Sequence, residues 1–527
     1  MEADRIRSDD DLKIFPVFCF LVLISANQIF ASSSDWIPLD GGGLGRADGV
    51  NSSEFCNEKG YPPAEDPDPL AAMIKSFEPC FAVGSRSNMS LAMGLPTAKI
   101  ANSGDILSFQ RAGEELIPPD ILGKIDKYLD NHEATSLLIV LGGQILLERY
   151  QYDRKPDINI QTFGVDNLLM PILAGIALQE GFIASLDDPV TTYYEPLLNT
   201  EWDEVSIHHV LRSSSGIKFD PKIDRPLVMR EIISGSLTID EILVRFVDRA
   251  AAPGEVFSNT MLDTYVLSRV LENAFSMPIE QVLSEKLWSR IGAEHEASVI
   301  KNLAGEAFRK NFFSATARDY TRLGQILINK GKAAGGEQII PEDWSQMVLQ
   351  GNKELLKCPF GPGCTKLPFG YTFHNYVAKS GVSISLGFFG NMIIMSPEAD
   401  MVVFQSSVAK DAKGNAALFK VLQELMKKSD TIKINLPTKA TDEPKNSATT
   451  GAEMSQTVTV QSAEQTNDIS SEAAFSSGSD SRMSAPTSQS QMSALDEIEN
   501  RCVSYGFKRG NEEFGGCVLK LLDLIGN

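Results

Sequence analysis

Histidine and tryptophan are scarce in this chain of 527 residues, with five and four copies, and none of its seven cysteines forms a Cys-x-x-Cys pair. No histidine is spaced with a cysteine as zinc sites require, so the sequence argues against a bound metal and implies no cofactor. Basic residues are outnumbered too, 48 Lys and Arg against 69 Asp and Glu. The resulting net charge of −21 is spread along the chain. Such a surface repels phosphate backbones and anionic headgroups, which excludes nucleic acid as an expected partner. Long apolar runs are few, and the first lies near the N-terminus. With 43% hydrophobic and 22% charged residues, the chain is neither a polytopic membrane protein nor disordered throughout. Its length exceeds what one core organises, which predicts one large domain with appendages.

The N-terminal run, Ile14 to Ala26 (IFPVFCFLVLISA), has the length of a signal-peptide h-region and is followed by small residues at Ala31-Ser32-Ser33. Residues 1–31 therefore read as an export signal. The preceding MEADRIRSDDDLK is net acidic where a basic flank is expected, so a retained single-span anchor stands as the alternative, and a buried core segment as a third. The expected location is periplasmic or secreted, with membrane contact only through such an N-terminal anchor to the inner membrane. Cys19 lies inside the run, and the other six cysteines fall into local pairs: Cys56 with Cys80, Cys358 with Cys364, and Cys502 with Cys517. Even numbers at short separations fit a disulfide framework in an oxidising compartment, its connectivity open, against three coincidental pairs of free thiols.

Residues 32–114 are rich in Gly, Ser, Asn and Pro, with GGGLG at 41–45 and PPAEDPDP at 62–69, and read as a loosely structured N-terminal extension tied by one disulfide. From Pro118 the pattern changes. Ile121, Leu122, Ile125 and Leu129 share one helical face, so DILGKIDKYLDN opens the main domain, 115–426. SLLIVLGGQILLERY then carries two β-rich runs around Gly142-Gly143, a dipeptide that accepts the positive φ of a tight hairpin. NLLMPILAGIALQEGFI reads as a buried helix ending near Gly181. Helical segments continue to about residue 350, and NMIIMSPEADMVVFQSS is a second hairpin. Strands from both ends of the domain are expected to meet in one antiparallel sheet, an α+β fold. Residues 427–494 are dominated by Ser, Thr, Gln and Ala, which bury too little surface to offset chain entropy and predict a flexible, disordered linker. The last stretch, 495–527, recovers helical periodicity, with Cys502 and Cys517 placed to staple two short helices into a mini-module.

Five segments, in order, resemble the class C β-lactamase-related serine hydrolases, a group that includes esterases, D-alanyl peptidases and nylon-oligomer hydrolases. ALQEGFIASLDDPVTTYYEPLL is similar to that family's helix end and following loop. VSIHHVLRSSSGIKF is similar to its helix-to-turn segment, and PGEVFSNTMLDTYVLSRVLENAFSMPIEQVLSEKLWSRIGAE to the stretch around its second motif. FSATARDYTRLGQILINKGKAAGGEQIIPEDW and GFFGNMIIMSPEADMVV continue the likeness, which covers about residues 115–410. The resemblance implies a β-lactamase/transpeptidase-like antiparallel sheet flanked by helices, with a helical subdomain.

In that family a serine opening the central helix is the nucleophile, a lysine one turn later assists its deprotonation, and a tyrosine from a neighbouring loop shuttles the proton. Three residues along a helix bring the first two to one face. Registered on AGIALQEG, the S-x-x-K positions fall on Gly164-Val165-Asp166-Asn167. Gly164 carries no nucleophile, and Asn167 hydrogen-bonds but takes no proton at neutral pH. The second motif matches Phe257-Ser258-Asn259, where phenylalanine keeps the ring and deletes the hydroxyl. Losses at all three chemical positions predict a catalytically degenerate member with no catalytic residue of the family's type. For the third motif, Lys379-Ser380-Gly381 looks like the Lys-Thr/Ser-Gly strand, but the Gly387-x-x-Gly390-Asn391 register places that strand some residues later. Lys379, if it reached the cleft, would attract a ligand carboxylate. The candidate ligand-binding set is Asp166, Ser258, Lys379, Ser380, Gly381, Ser385 and Gly387.

Ser215-Gly-Ile-Lys218 and Ser407-Val-Ala-Lys410 repeat the S-x-x-K spacing, but neither opens a helix, and common residues produce it by chance. His208 and His209 are adjacent and so point in different directions on a helix, which predicts a solvated or capping role. Three functions remain. The first is an exported, catalytically inactive family member that binds a peptide, a peptidoglycan fragment or a protein partner in the retained cleft. The second is an active hydrolase of esters or amides with its nucleophile moved to Ser258 or Ser385, although no histidine or lysine is placed to activate either. The third is a structural envelope component whose C-terminal mini-module makes the contact.

Overall fold

The computed structural model describes residues 36–46, 95–220, 224–258, 260–308, 312–351, 369–378, 380–409 and 413–437. The six cysteines expected to pair, Cys56 with Cys80, Cys358 with Cys364 and Cys502 with Cys517, all lie outside the described residues. So do Cys19, the apolar run around it and the C-terminal mini-module. Among the described residues no helix is long and apolar enough to cross a membrane.

Four short strands come first: β1 (Trp36–Pro38), β2 (Leu44–Arg46), β3 (Thr97–Ile100) and β4 (Gln110–Arg111). β5 (Ala134–Leu141) and β6 (Gln144–Tyr150) then form the hairpin expected around Gly142-Gly143, with both glycines at positive φ. β7 (Ile160–Gln161), β8 (Ala297–Ile300) and β9 (Phe313–Ala315) follow at wide intervals and join β3 in a four-stranded sheet. β10 (Phe369–Tyr371), β11 (Tyr376–Ala378), β12 (Ser383–Leu386), β13 (Met392–Ser396) and β14 (Met401–Ser407) run as an antiparallel meander. The main sheet is ten-stranded, in the order β1-β2-β6-β5-β14-β13-β12-β11-β10 with β4 also on β6. β14 pairs antiparallel with β5, so strands from the two ends of the domain do meet.

Side chains alternate across these strands with period two and feed two cores. Leu138, Val140, Val402 and Phe404 face the larger one, which holds helices α2 (Leu169–Gln179) and α3 (Ala317–Ile328). Leu137, Ile139, Leu141, Met401 and Val403 face the smaller one on the opposite side. That side is covered by the predicted helix α1 (Pro119–Asn131), with Ile121, Ile125, Tyr128 and Leu129 buried, and by the helix Lys413–Met426.

Two segments are more ordered than their composition suggests. Within 32–114, expected to be loose, β2 and β4 add in parallel to the outer edge of β6. Buried charge holds them there. Arg318 donates to both carboxylate oxygens of Glu148 at 2.8 and 3.1 Å, to Glu294 at 2.8 Å and to the Gly41 carbonyl at 2.7 Å. One turn later Arg322 donates to Glu294, to Asp319 and to the Leu107 carbonyl. Arg111 also pairs with Glu148. Charged hydrogen bonds of this kind are roughly twice as strong as neutral ones, so the contacts to the Gly41 and Leu107 carbonyls help to seat strands that are weak by composition. Similarly, the first residues of the stretch read as a linker, 429–437, carry the helix Ser429–Lys433 and end with the Pro437 carbonyl accepting from Gln144 at 2.9 Å.

Candidate functional site

The centre of the molecule is α2, apolar on every side: Leu169 through Ala177 are all buried, as in a helix threading a core. Pro171 stands in its first turn, where the missing N–H costs nothing. Gly175 lies so close beneath Trp344 that a Cβ would strike the indole, and Trp344 donates its Nε1–H to the Pro171 carbonyl at 2.8 Å. Ahead of α2, a 3-10 turn at Val165–Leu168 carries the degenerate motif.

Gly164 heads that turn with φ 137° and ψ −24°, a conformation that residues with a side chain rarely adopt. Positive φ recurs at Phe163 (50°) and at Phe389 (61°), whose rings meet edge to face at 5.6 Å. The Gly164 N–H donates to Asp166 Oδ1 at 2.9 Å, and the Phe388 N–H donates to the Phe163 carbonyl at 3.0 Å. In acyl transfer the amide of the nucleophilic residue commonly holds the developing oxyanion. Here that amide is already occupied by a carboxylate two residues along the chain. Asn167 Oδ1 is buried without a hydrogen-bond partner.

Phe257 is buried against Tyr371, ring centres 4.6 Å apart and planes at 53°. The Tyr371 hydroxyl lies 3.4 Å from Ser213 Oγ. Burial pushes this phenol well above its ordinary pKa, so at neutral pH it is a protonated donor and not a base. The Ser258 N–H donates to the Ser213 carbonyl at 2.7 Å, which ties the second-motif loop to that turn. On β12, Ser385 donates its hydroxyl to the Val165 carbonyl at 3.3 Å, and a Cβ on Gly387 would strike the Thr162 carbonyl oxygen. The Gly387-x-x-Gly390-Asn391 register is thus the one that meets Gly164. Ser380 and Gly381 occupy the β11–β12 turn at the other end of β12 and are not brought to the site. Lys379 and Asn259 lie outside the described residues.

The other sequence candidates find structural roles. Ser215 Oγ donates to Asp263 at 2.5 Å inside the fold while Lys218 is exposed, so this S-x-x-K pair does not meet. Ser407 closes β14. His209 completes a capping box with Ser206, its Nδ1 accepting from the Ser206 N–H at 3.1 Å. Sequence reasoning overlooked Tyr371 and Ser213, and the S-S-S-G turn carrying Ser213 was the available signal. Among the described residues no group of His, Cys, Asp and Glu is arranged to hold a metal.

Residues 172–409 match the family model described as Beta-lactamase. The fold around those residues is β-lactamase/transpeptidase-like. Beyond that model, the chain is 24% identical over 298 residues to a 6-aminohexanoate-dimer hydrolase of Paenarthrobacter ureafaciens, covering 54% of this chain and 75% of that one. Its fold matches the structure of a putative 6-aminohexanoate-dimer hydrolase from Bacillus anthracis with a TM-score of 0.56 and 19% identity, over 71% of this chain and 97% of the other.

Proposed function

We propose that this chain is a non-catalytic, exported member of the family that uses the inherited cleft to bind a peptide, a cell-wall fragment or a protein partner. The backbone at Gly164 carries the reading. A serine restored at φ 137° would be strained, and the amide that would serve an oxyanion is bonded to Asp166, so more than side-chain chemistry has been lost. The base position, Asn167, and the shuttle position, Phe257, are equally without proton-transfer chemistry. Relatives named for hydrolysing an amide dimer favour an amide-bearing ligand. Export rests on the apolar run 14–26 and the paired cysteines.

The relatives' names also favour a second reading, hydrolysis by a relocated serine. Among the described residues, however, neither Ser258 nor Ser385 hydrogen-bonds a histidine, a lysine or a carboxylate through its side chain. A fluorophosphonate probe and short-chain p-nitrophenyl esters, applied to the purified full chain beside an active serine hydrolase, separate the two. We expect no labelling and no ester turnover above the buffer rate. Labelling at any serine would overturn the non-catalytic reading, and peptide mapping would locate the new nucleophile.

A further inference from the structure

The outer edge of β6 is covered at its two ends and open between them. β4 sets Gln110 opposite Gln144 and Arg111 opposite Ile145, while β2 sets Leu44 opposite Arg149 and Gly45 opposite Tyr150. Among the described residues, no strand residue stands opposite Leu146, Leu147 or Glu148 on that side. Both flanking strands run parallel to β6, so they lie in one line with a gap from Ile145 to Arg149. At about 3.3 Å per residue that gap is roughly 13 Å long.

A cavity of about 380 Å3 lies in the gap, between Ile145 to Arg149 of β6, Gly42 to Leu44 at the start of β2 and Gly113 to Glu115 just past β4. Small-molecule sites commonly span about 300–1,000 Å3. None of these residues belongs to the cleft around Gly164. Arg149 is 1% exposed and pairs through Nη1 with Glu114, yet its Nε has no hydrogen-bond partner. Such a group has given up water without gaining an acceptor. The carboxylates on the wall differ in the same respect. Glu148 is taken up by Arg318, Arg111 and the Tyr150 hydroxyl. Glu115 is exposed and makes no hydrogen bond or ion pair with the described residues.

From the coincidence of the strand gap with the cavity, we infer that β6 receives a free peptide of about three residues, added as a parallel strand between β4 and β2. An open strand edge offers N–H and C=O groups to any extended chain. Beyond the gap that line is occupied by β4 and β2 themselves, which sets the length and requires chain ends inside it. Running parallel, the peptide starts beside the end of β4, where Gly113 leads to Glu115. Its ammonium there meets the one carboxylate on the wall that lacks a partner, a charge-assisted bond. A peptide carbonyl supplies the acceptor that Arg149 Nε lacks. This second site stands whether or not the cleft binds a ligand.

The test is a ligand-observed NMR titration of the full chain with trialanine and with N-acetyl-trialanine. Saturable binding of trialanine is expected, weakened at least tenfold by acetylation and at least fivefold by Glu115→Gln, a substitution at an exposed residue with no partner to lose. The Gln variant should bind the two peptides alike, because the ammonium has lost its counter-charge. No saturable binding, or equal binding of both peptides to the unaltered protein, would overturn the site. Binding undiminished in Glu115→Gln would place the peptide elsewhere, the cleft included, and overturn it as well.

Discussion

At Gly164 the missing side chain and the unusual backbone are one fact, since φ 137° is open to glycine and strained for anything else. Replacing Gly164 by alanine is expected to cost roughly 1–2 kcal/mol, the usual penalty for a Cβ in a left-handed conformation. Gly123 is the control: it sits exposed within α1 with open space around its Cα, so Gly123→Ala should gain about 0.5–1 kcal/mol. Urea denaturation of both variants checks the pair. A gain at both positions would mean that φ at Gly164 is free to relax. The identities at 164, 167 and 257 were legible in the sequence because AGIALQEG and PGEVFSNT fix the register on either side. The Asp166 bond to the Gly164 N–H was not, because it depends on a dihedral angle that no residue pattern announces.

Elements whose pairing is local could be read directly, whereas those paired at a distance could not. The β5–β6 hairpin declared itself through Gly142-Gly143, and α1 through its apolar spacing. β3, only TAKI, exists because Ala297–Ile300 lies beside it, nearly two hundred residues on, and β2 emerges from a glycine-rich turn that becomes a strand only on the edge of β6. The two registers of the third motif likewise needed β12 to be placed before one could be chosen. That placement leaves no room between Gly387 and the Thr162 carbonyl. Gly387→Ala should therefore pry the end of β12 from residues 162–165 and lower stability by about 1–3 kcal/mol, read as a fall in the urea midpoint. An unchanged midpoint would mean that the strand end is loosely held.

Across the whole molecule, the network around Arg318 and Arg322 joins the N-terminal strands to the body and makes stability depend on acid. Burial opposes ionisation of Glu294, but Arg322 and Arg318 outweigh it, and its carboxyl titrates below the ordinary 4.5. The unfolded chain then takes up the proton first, so the contribution of Glu294 is complete above about pH 4.5 and is lost as pH falls through the folded value. Asp319 is pushed upward by its burial and has the opposite sign, but it is common to the native protein and to Glu294→Gln. The stability gap between those two, measured by denaturant titration, should be wide at pH 7 and should narrow toward pH 3. A constant gap would remove Glu294 from the network's electrostatics. The two ends of the described body both lie on β6. Through β1 and β2 the chain before Trp36 leaves from the Arg149–Tyr150 end of β6, and the chain after Pro437 leaves from its Gln144 end. At about 3.4 Å per residue the two exits are roughly 20 Å apart. Both points of departure thus lie at the ends of one strand, so the distance between residues 36 and 437 reports the integrity of β6 itself.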